Sequence, residues 1–485
     1  MSTTQSARRT APAGGLDRFF HITERGSTVA TEIRGGVVTF FAMAYIVLLN
    51  PLIIGTSPDR EGTVLGIPEV AAVTALVAGV MSILFGVVAK YPFGIATGLG
   101  LNTLVAVTLV GQQGLTWPEA MGLVVIDGII ICVLAVSGFR TAVFRAIPDS
   151  MKAAMSVGIG MFIALIGLVD AGFVRRIPDA AMTTVPVQLG IGGSIASWPT
   201  FVFIIGLIIC GFMVVRRIPG GLFIGIVVTT IIALIVERIV GAGSSADAPT
   251  GWSLAVPSFP DSLGSAPDLS LVGNVDLFGA FIHAGVIASS LLVFTLVLAN
   301  FFDAMGTMTA LGRQGNLTDE SGNLPGLKRA LVVEGFGAVV GGAASASSNT
   351  VYVDSSAGIA DGARTGLANV VTGVLFLLAM FFTPLYEIVP IEAAAPVLVV
   401  VGALMMMQVG AVDWSKFYIA LPAFLTIVTM PFTYSIADGI GVGFISFTLM
   451  AAFAGKAKDI HWIMWLISAL FVVFFAHGPI MAALG

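Results

Sequence analysis

Two acidic side chains inside apolar stretches have the clearest potential for chemistry in this sequence. Asp303 lies in the stretch 287–310, and Asp354 lies in the interrupted stretch 346–361. An ionisable residue at membrane depth is costly and marks a ligand or ion pathway by default. We therefore expect both carboxylates to bind a ligand or carry a proton. The structural alternatives are that Asp354 caps a helix and that Asp303 simply reaches water near a helix end.

Other polar side chains lie at spacings that bring them to these acids. At 3.6 residues per turn, Asn300, Asp303 and Thr307 fall on one face of a helix. Glu334 lies among small residues in the apolar stretch 327–345, where it is either a proton-relay group or a strut that bonds another helix. The sequence thus predicts a helix that presents an amide, a carboxylate and a hydroxyl together.

Two apolar segments, 91–110 and 346–361, are too interrupted to cross a membrane as single helices. In the first, Pro92 and several glycines predict an extended piece followed by a half-helix that begins near Gly98. Asn102 falls in the first turn of that half-helix, where its amide would face a ligand or satisfy freed backbone groups. Exposed backbone at this depth must line a cavity or be buried in protein.

The second interrupted segment predicts a strand. Its β-branched residues from Thr350 to Val353 alternate with other types and favour an extended conformation, with Asp354 or Ser355 capping the helix that follows.

The charges around these segments restrict the chemical class of the ligand. Helix N-termini attract anions, but Asp354 at one of them and Asp303 nearby would repel an anion. A neutral ring with N–H donors fits better, because a carboxylate accepts two of them. Aromatic side chains that offer stacking faces lie close by in sequence, namely Phe93, Phe301, Phe302 and Tyr352. An acid protonated outside and deprotonated inside would couple transport to a proton gradient.

The composition places these segments in a lipid bilayer. Of 485 residues, 57% are hydrophobic and 10% are charged, and the mean hydropathy is +1.01. A soluble domain carries about 25% charged residues, so an ordinary soluble protein and a nucleic-acid-binding protein are excluded. Cys132 and Cys210 lie in apolar runs, where cysteine acts as a small hydrophobe. No motif predicts a metal, a cofactor or catalytic residues, and we expect a protein that is not an enzyme.

Twelve apolar runs are long enough to cross the hydrocarbon core, which takes about 20 residues. They are 36–55, 69–88, 116–137, 150–170, 199–215, 218–238, 287–310, 327–345, 364–383, 393–411, 416–433 and 437–454. The two interrupted segments raise the number of crossings to fourteen. With a cytoplasmic N-terminus, every Lys and Arg except Arg60, Arg175, Arg176 and Arg238 falls inside, as the positive-inside rule requires.

The order of segments repeats in the two halves of the chain. Each half has two full spans, an interrupted segment and four full spans, so seven crossings follow seven in opposite orientation. We therefore predict an all-α, multi-pass cell-membrane protein with 14 transmembrane segments as two inverted repeats and short strands in broken segments 3 and 10. The predicted divisions are a cytoplasmic segment 1–35, repeats 36–240 and 281–455, an extracytoplasmic loop 241–280 and a C-terminal apolar helix in 456–485. Its stretch 460–482 is a fifteenth span or, as we favour, an interfacial helix.

Several long motifs in this sequence resemble those of a known family. They are Gly35–Ile46, Gly98–Asn102, Phe302–Thr307, Gly362–Leu367 and Met430–Gly439. They are similar to motifs of the nucleobase-cation symporter 2 family, and within it of the purine permeases that take up adenine, guanine and hypoxanthine. The similarity covers about residues 20–455.

The resemblance implies a core domain and a gate domain, a substrate held where the third and tenth segments meet, and often a homodimer through the gate domains. It implies substrate roles for Gly100, Asn102, Asp303 and Asp354, and it makes an acid at Glu334 plausible. Two positions depart from the family pattern, since the family usually has an acid at the position of Asn300 and Glu at the position of Asp354.

The leading hypothesis is a proton-coupled importer of purine bases that works by alternating access, with a proton, or sodium, as the coupling ion. The alternatives are the same fold with a pyrimidine or another small neutral heterocycle as cargo, or a uniporter that has lost proton coupling. An ion channel would show repeated filter motifs or charged rings, and an enzyme would show a nucleophile and a base, neither of which this sequence contains.

Overall fold

The computed structural model describes residues 14–137, 146–177, 187–253, 256–259, 262–319 and 324–476. The side chain of Phe302, one of the predicted stacking residues, lies outside this description.

The first half of the chain contains nine α-helices and three short strands in its described part. They are α1 Gly15–Phe20, α2 Val29–Met43, α3 Ile46–Ile54, α4 Ile67–Val88, β1 Ile95–Thr97, α5 Leu99–Thr103, α6 Trp117–Ser137, α7 Asp149–Asp170, β2 Val174–Arg176, β3 Val187–Leu189, α8 Trp198–Val215 and α9 Gly221–Val240. Helix α5 continues as a π-helix over Leu104–Gln112.

The second half contains ten α-helices and one strand in its described part. They are α10 Gly279–His283, α11 Val286–Gln314, α12 Leu327–Ala343, β4 Asn349–Val351, α13 Ser355–Ala360, α14 Gly366–Ala379, α15 Pro384–Glu387, α16 Ile391–Met406, α17 Phe417–Thr433, α18 Ile436–Ala451 and α19 Trp462–Phe475. Short 3₁₀ or π turns extend α14, α16 and α18.

The protein is a mostly helical, multi-pass membrane protein. Nine helices in the described part are long and apolar enough to cross a membrane, and shorter apolar helices lie among them. The first crossing begins at Val29 rather than at residue 36, because Thr28 caps it by accepting the N–H of Thr31. It is also interrupted at Ala44 and Tyr45, which the sequence did not predict.

The helices pack as two groups. The strand bundle consists of α2 to α6 and α11 to α14, and it encloses β1 and β4. Its helices approach closely at glycines: a Cβ on Gly366 would lie less than 2 Å from the carbonyl oxygen of Gly86. Small residues at such positions let backbones pack without the hydrophobic driving force that water would supply.

The flanking bundle consists of α7 to α9 and α16 to α18. It meets the strand bundle where Ile159 of α7 faces Gly100, and where Gln112 donates from its Nε2 to the carbonyl oxygen of Tyr434 (3.1 Å). Helix α19 packs on α18 through the buried ring of Phe471. Its 14 residues measure about 21 Å, which is shorter than the hydrocarbon core. An interfacial position for α19 stays a prediction.

Candidate functional site

The two interrupted segments meet inside the strand bundle. Strands β1 and β4 pair antiparallel, with Ala96 opposite Thr350, and this meeting point of the two segments is the crossing. The pairing continues past the strands, since the N–H of Tyr352 donates to the carbonyl oxygen of Gly94 (2.9 Å) and that of Gly98 donates to Ser348 (3.0 Å). Irregular backbone at membrane depth is stable here because the two segments satisfy each other's hydrogen bonds inside protein.

The predicted extended pieces and the half-helix are confirmed. The first half-helix begins at Leu99, one residue after the predicted start. The predicted strand at Thr350–Val353 is observed over Asn349–Val351, so it begins and ends slightly earlier. Each strand leads into a helix whose first turn lies beside the crossing.

Asp354 lies at the start of α13 but does not cap that helix through its side chain. It occupies the N-cap position without a side-chain hydrogen bond to the helix, and its Oδ2 accepts the hydroxyl of Tyr45 (3.0 Å) instead. The neighbouring Ser355 hydroxyl accepts the N–H of Gly94 (2.9 Å). The expectation of a capping side chain is therefore wrong, because Asp354 bonds a residue between α2 and α3 and Ser355 bonds the first interrupted segment. The half-buried Asp354 carboxylate keeps acceptor capacity for a ligand.

Tyr352 and Asn102 are connected through Thr97, the last residue of β1. The hydroxyl of Tyr352 donates to the carbonyl oxygen of Thr97 (2.5 Å), and the amide Nδ2 of Asn102 donates to the Thr97 hydroxyl (3.0 Å). Asn102 is fully buried, and its Oδ1 has no hydrogen-bond partner in the described part of the chain. A buried acceptor without a partner costs free energy unless a ligand or water supplies a donor.

Asp303 joins the same cluster from α11. Its half-buried carboxylate lies within electrostatic range of Glu334 and of the hydroxyl of Tyr352. Thr307, one turn further along the helix, is half-buried as well. The structure therefore brings together four residues that the sequence singled out from three separate segments, namely Asp303, Glu334, Tyr352 and Asp354.

Asn300 is more deeply buried than Asp303 and Asp354, and its partners are known. It is fully buried, and its Nδ2 donates to the Oδ2 of Asp127 (3.2 Å) and to the hydroxyl of Ser348 (2.9 Å). Its amide thus ties α11 to α6 and to the residues before β4. A substrate role for Asn300 stays a prediction.

Phe93 and Gly100 take different places around the crossing. Phe93 is fully buried and stacks on Tyr91, with ring centroids 5.0 Å apart. Gly100 is partly exposed and faces the flanking bundle, where an added Cβ would lie 2.9 Å from the Cγ2 of Ile159. Gly100 therefore sets how closely the two bundles approach beside Asn102.

Tyr45 is the residue of this cluster that sequence reasoning missed. It lies at the interruption between α2 and α3, is almost fully buried, and holds Asp354 through its hydroxyl. A polar aromatic residue in the middle of an apolar run was the available signal. Among the described residues, no group of three or more His, Cys, Asp or Glu side chains could hold a metal ion.

Comparison with known proteins decides the family. A profile described as "Permease family" matches residues 30–442 of this chain. The chain belongs to this permease family. The resemblance to the nucleobase-cation symporter 2 family is thereby confirmed, and the protein is a transporter rather than an enzyme.

Curated relatives match almost the full length. The guanine/hypoxanthine permease PbuG of Bacillus subtilis (strain 168) is 36% identical over 463 residues, which cover 95% of this chain and 99% of that protein. The adenine permease AdeP of Escherichia coli (strain K12) is 33% identical over 470 residues, which cover 97% of this chain and 98% of that protein.

A solved structure shares the fold. The transmembrane domain of the cyanobacterial bicarbonate transporter BicA aligns with a TM-score of 0.57 over 85% of this chain and 96% of that one, at 14% identity. This likeness concerns the fold alone.

Proposed function

We propose that this permease imports purine nucleobases by proton symport, with alternating exposure of a site at the crossing of β1 and β4. The observation that carries the proposal is the meeting of Asp303, Asp354, Tyr352 and Asn102 at one crossing of two interrupted segments. The relatives that match nearly the whole chain are permeases for guanine, hypoxanthine and adenine, which supports a purine as cargo.

The architecture we propose has fourteen transmembrane segments in two inverted seven-segment repeats and a cytoplasmic N-terminus. The strand bundle would be the core domain that carries the substrate, and the flanking bundle would be the gate domain against which it moves. A homodimer through the gate domains belongs to the same proposal.

Each polar group at the crossing has a proposed role. Asp354 accepts N–H donors of the base, while Tyr45 fixes the orientation of its carboxylate. The unpartnered Oδ1 of Asn102 accepts a further donor, and Thr307 orients the ring. Asp303 carries the proton, and Glu334, whose carboxylate lies within electrostatic range of it, is the proposed partner in the relay.

The test is uptake of labelled hypoxanthine and adenine into proteoliposomes, with and without an inward proton gradient. We expect gradient-driven accumulation by the wild type, and uptake that no longer responds to the gradient in Asp303→Asn. Asp361→Asn is the matched control, because that partly exposed carboxylate pairs with Arg34 at the other end of α13 (2.6 Å) and lies outside the cluster.

Three outcomes would contradict the proposal. Folded protein that takes up neither base, but takes up uracil in competition assays, would move the cargo to pyrimidines. Uptake by the wild type that is equal with and without the proton gradient would replace symport by uniport, and a response to a sodium gradient alone would replace the proton.

A further inference from the structure

A cavity of about 630 Å³ lies between the two bundles, apart from the crossing. The strand bundle contributes the end of α3 and the π-helix after α5, and the flanking bundle contributes the end of α7 and the start of α16. Strand β2 and the residues around Ser253 line it as well. Its volume falls within the range of about 300–1,000 Å³ that is typical of small-molecule sites.

The polar lining of this cavity contains both hydrogen-bond acceptors and donors. Asp170, the last residue of α7, is half-buried in the cavity wall, and Arg175 of β2 lies in the same lining. Glu392 lies within electrostatic range of both, and its Oε1 accepts the N–H of Ser253 (2.8 Å). Arg176 of β2 lines the cavity as well, so acidic and basic groups both face a ligand held here.

The remaining wall is suited to a flat ring. Ile53, Ile166 and Ile391 supply apolar surface, and Tyr434 supplies an aromatic ring. Asp170 can accept N–H donors at one side, and Arg175, whose Nε donates to Gly172, has further N–H groups for a ring nitrogen or carbonyl oxygen. This is the combination that a planar heterocycle with both donors and acceptors requires.

The cavity borders the half-helix that carries Asn102. Thr103 lines it, and Thr103 follows Asn102 directly in the half-helix.

We propose that this cavity is a second recognition site for the neutral base, occupied before the base reaches the crossing, with Asp170 and Arg175 as its polar contacts. This inference rests on the proposed function, since it takes the same ligand class. On the predicted topology the cavity faces the extracytoplasmic side, so it acts on uptake and not on release to the cytoplasm.

The first test compares the two faces of the membrane. Half-saturating concentrations for hypoxanthine are measured in intact cells and in inverted membrane vesicles, for the wild type, Asp170→Asn and Arg175→Gln. We expect about a 10-fold increase in intact cells, with a maximal rate within twofold of wild type and no change in inverted vesicles. Asp247→Asn and Arg238→Gln are the controls, because these exposed residues lie outside the cavity lining.

The second test measures occupancy without transport. The chain has two cysteines, so a background with Cys132→Ser and Cys210→Ala carries one reporter, Val169→Cys in the cavity or Val64→Cys outside it. The two valines are 41% and 46% exposed, which makes them a matched pair. We expect hypoxanthine to slow maleimide labelling at position 169 at least fivefold and to leave position 64 unchanged.

The outcomes separate this inference from the proposed function. If the wild type transports hypoxanthine but position 169 is not protected, the second site is refuted and purine transport stands. The same follows if Asp170→Asn and Asp247→Asn have equal half-saturating concentrations. Protection by bicarbonate but not by hypoxanthine overturns it in favour of an anion site. Protection by hypoxanthine in a protein that transports no purine keeps the site and refutes the proposed function.

Discussion

Both interrupted segments consist of a short strand followed by a helix, but they differ in the polar side chains that lie beside the strand pair. In the first, the strand ends in Thr97, and Asn102 is fully buried with its amide bonded within its own segment. In the second, Asp354 is half-buried and accepts a hydrogen bond from Tyr45, which lies between α2 and α3. A neutral amide tolerates burial better than a carboxylate does. The difference indicates that the first segment shapes the site and that the second supplies its charge.

The largest effect is expected from removing that charge. Asp354→Asn keeps the shape of the side chain but loses a charged acceptor, so we expect uptake of hypoxanthine to fall about 100-fold. The measurement is initial uptake at equal amounts of folded protein, with Asp361→Asn as the control. A variant that retains more than half of wild-type uptake would mean that the two segments do not differ in the way we infer.

A smaller loss is expected from a change in the first interrupted segment, at its contact with the flanking bundle. Gly100→Ala would place a Cβ 2.9 Å from the Cγ2 of Ile159, and overpacking of this kind costs about 1–3 kcal/mol. We expect the maximal transport rate to fall about 10-fold, with recovery in the double variant Gly100→Ala/Ile159→Ala. Gly211→Ala is the control, because nothing lies within 4 Å of its added Cβ. If Ile159→Ala does not restore the rate, the contact between residues 100 and 159 is not the cause of the loss.

Asn102→Ala tests whether the first interrupted segment also contacts the ligand. We expect thermal stability in detergent to fall, since a buried hydrogen bond worth about 1 kcal/mol is lost, and the stabilisation by added hypoxanthine to shrink as well. Asn50→Ala is the matched control, because that buried amide bonds Thr74 (2.7 Å) and the carbonyl oxygen of Ala346 (3.2 Å) rather than a side chain assigned to the ligand. Equal loss of ligand stabilisation in both variants would assign Asn102 a structural role alone.

The smallest effect is expected at the residue that supports the charged segment. Tyr45→Phe removes one hydrogen bond to Asp354, and water can replace it at a half-buried carboxylate, so we expect about a fivefold loss of uptake. Tyr91→Phe, which removes the hydroxyl that donates to Pro325 (2.6 Å), is the control. The two changes Tyr45→Phe and Asp354→Asn should not add, because they share one interaction. Additive losses would show that Tyr45 acts elsewhere.

Much of the local structure at the crossing could be predicted from the residues themselves. Pro92 and the glycines around it exclude a continuous helix, so the extended piece and the half-helix at Leu99 followed from backbone chemistry. The β-branched residues after Asn349 gave the second strand within two residues of its observed ends. These features depend on neighbours in sequence, which is why they were accessible without the fold.

The partners of the polar side chains were less predictable. Asp354 was expected to cap its own helix or bind a ligand, but it is held by a tyrosine 309 positions away. Asn300 was grouped with Asp303 by helical spacing, yet its amide bonds Asp127 and Ser348. Helical periodicity places residues on a face, but it does not say which neighbouring segment that face meets.

The sequence by itself determined that this chain is a membrane protein, where its helices are interrupted, and which acids lie inside apolar stretches, because each follows from hydropathy and local backbone preference. Only the tertiary structure decided that β1 pairs with β4, that Tyr45 holds Asp354, and that a separate cavity lined by acidic and basic side chains lies between the bundles. The physical reason is that buried polar groups must find partners, and in this protein the partners come from segments hundreds of residues apart.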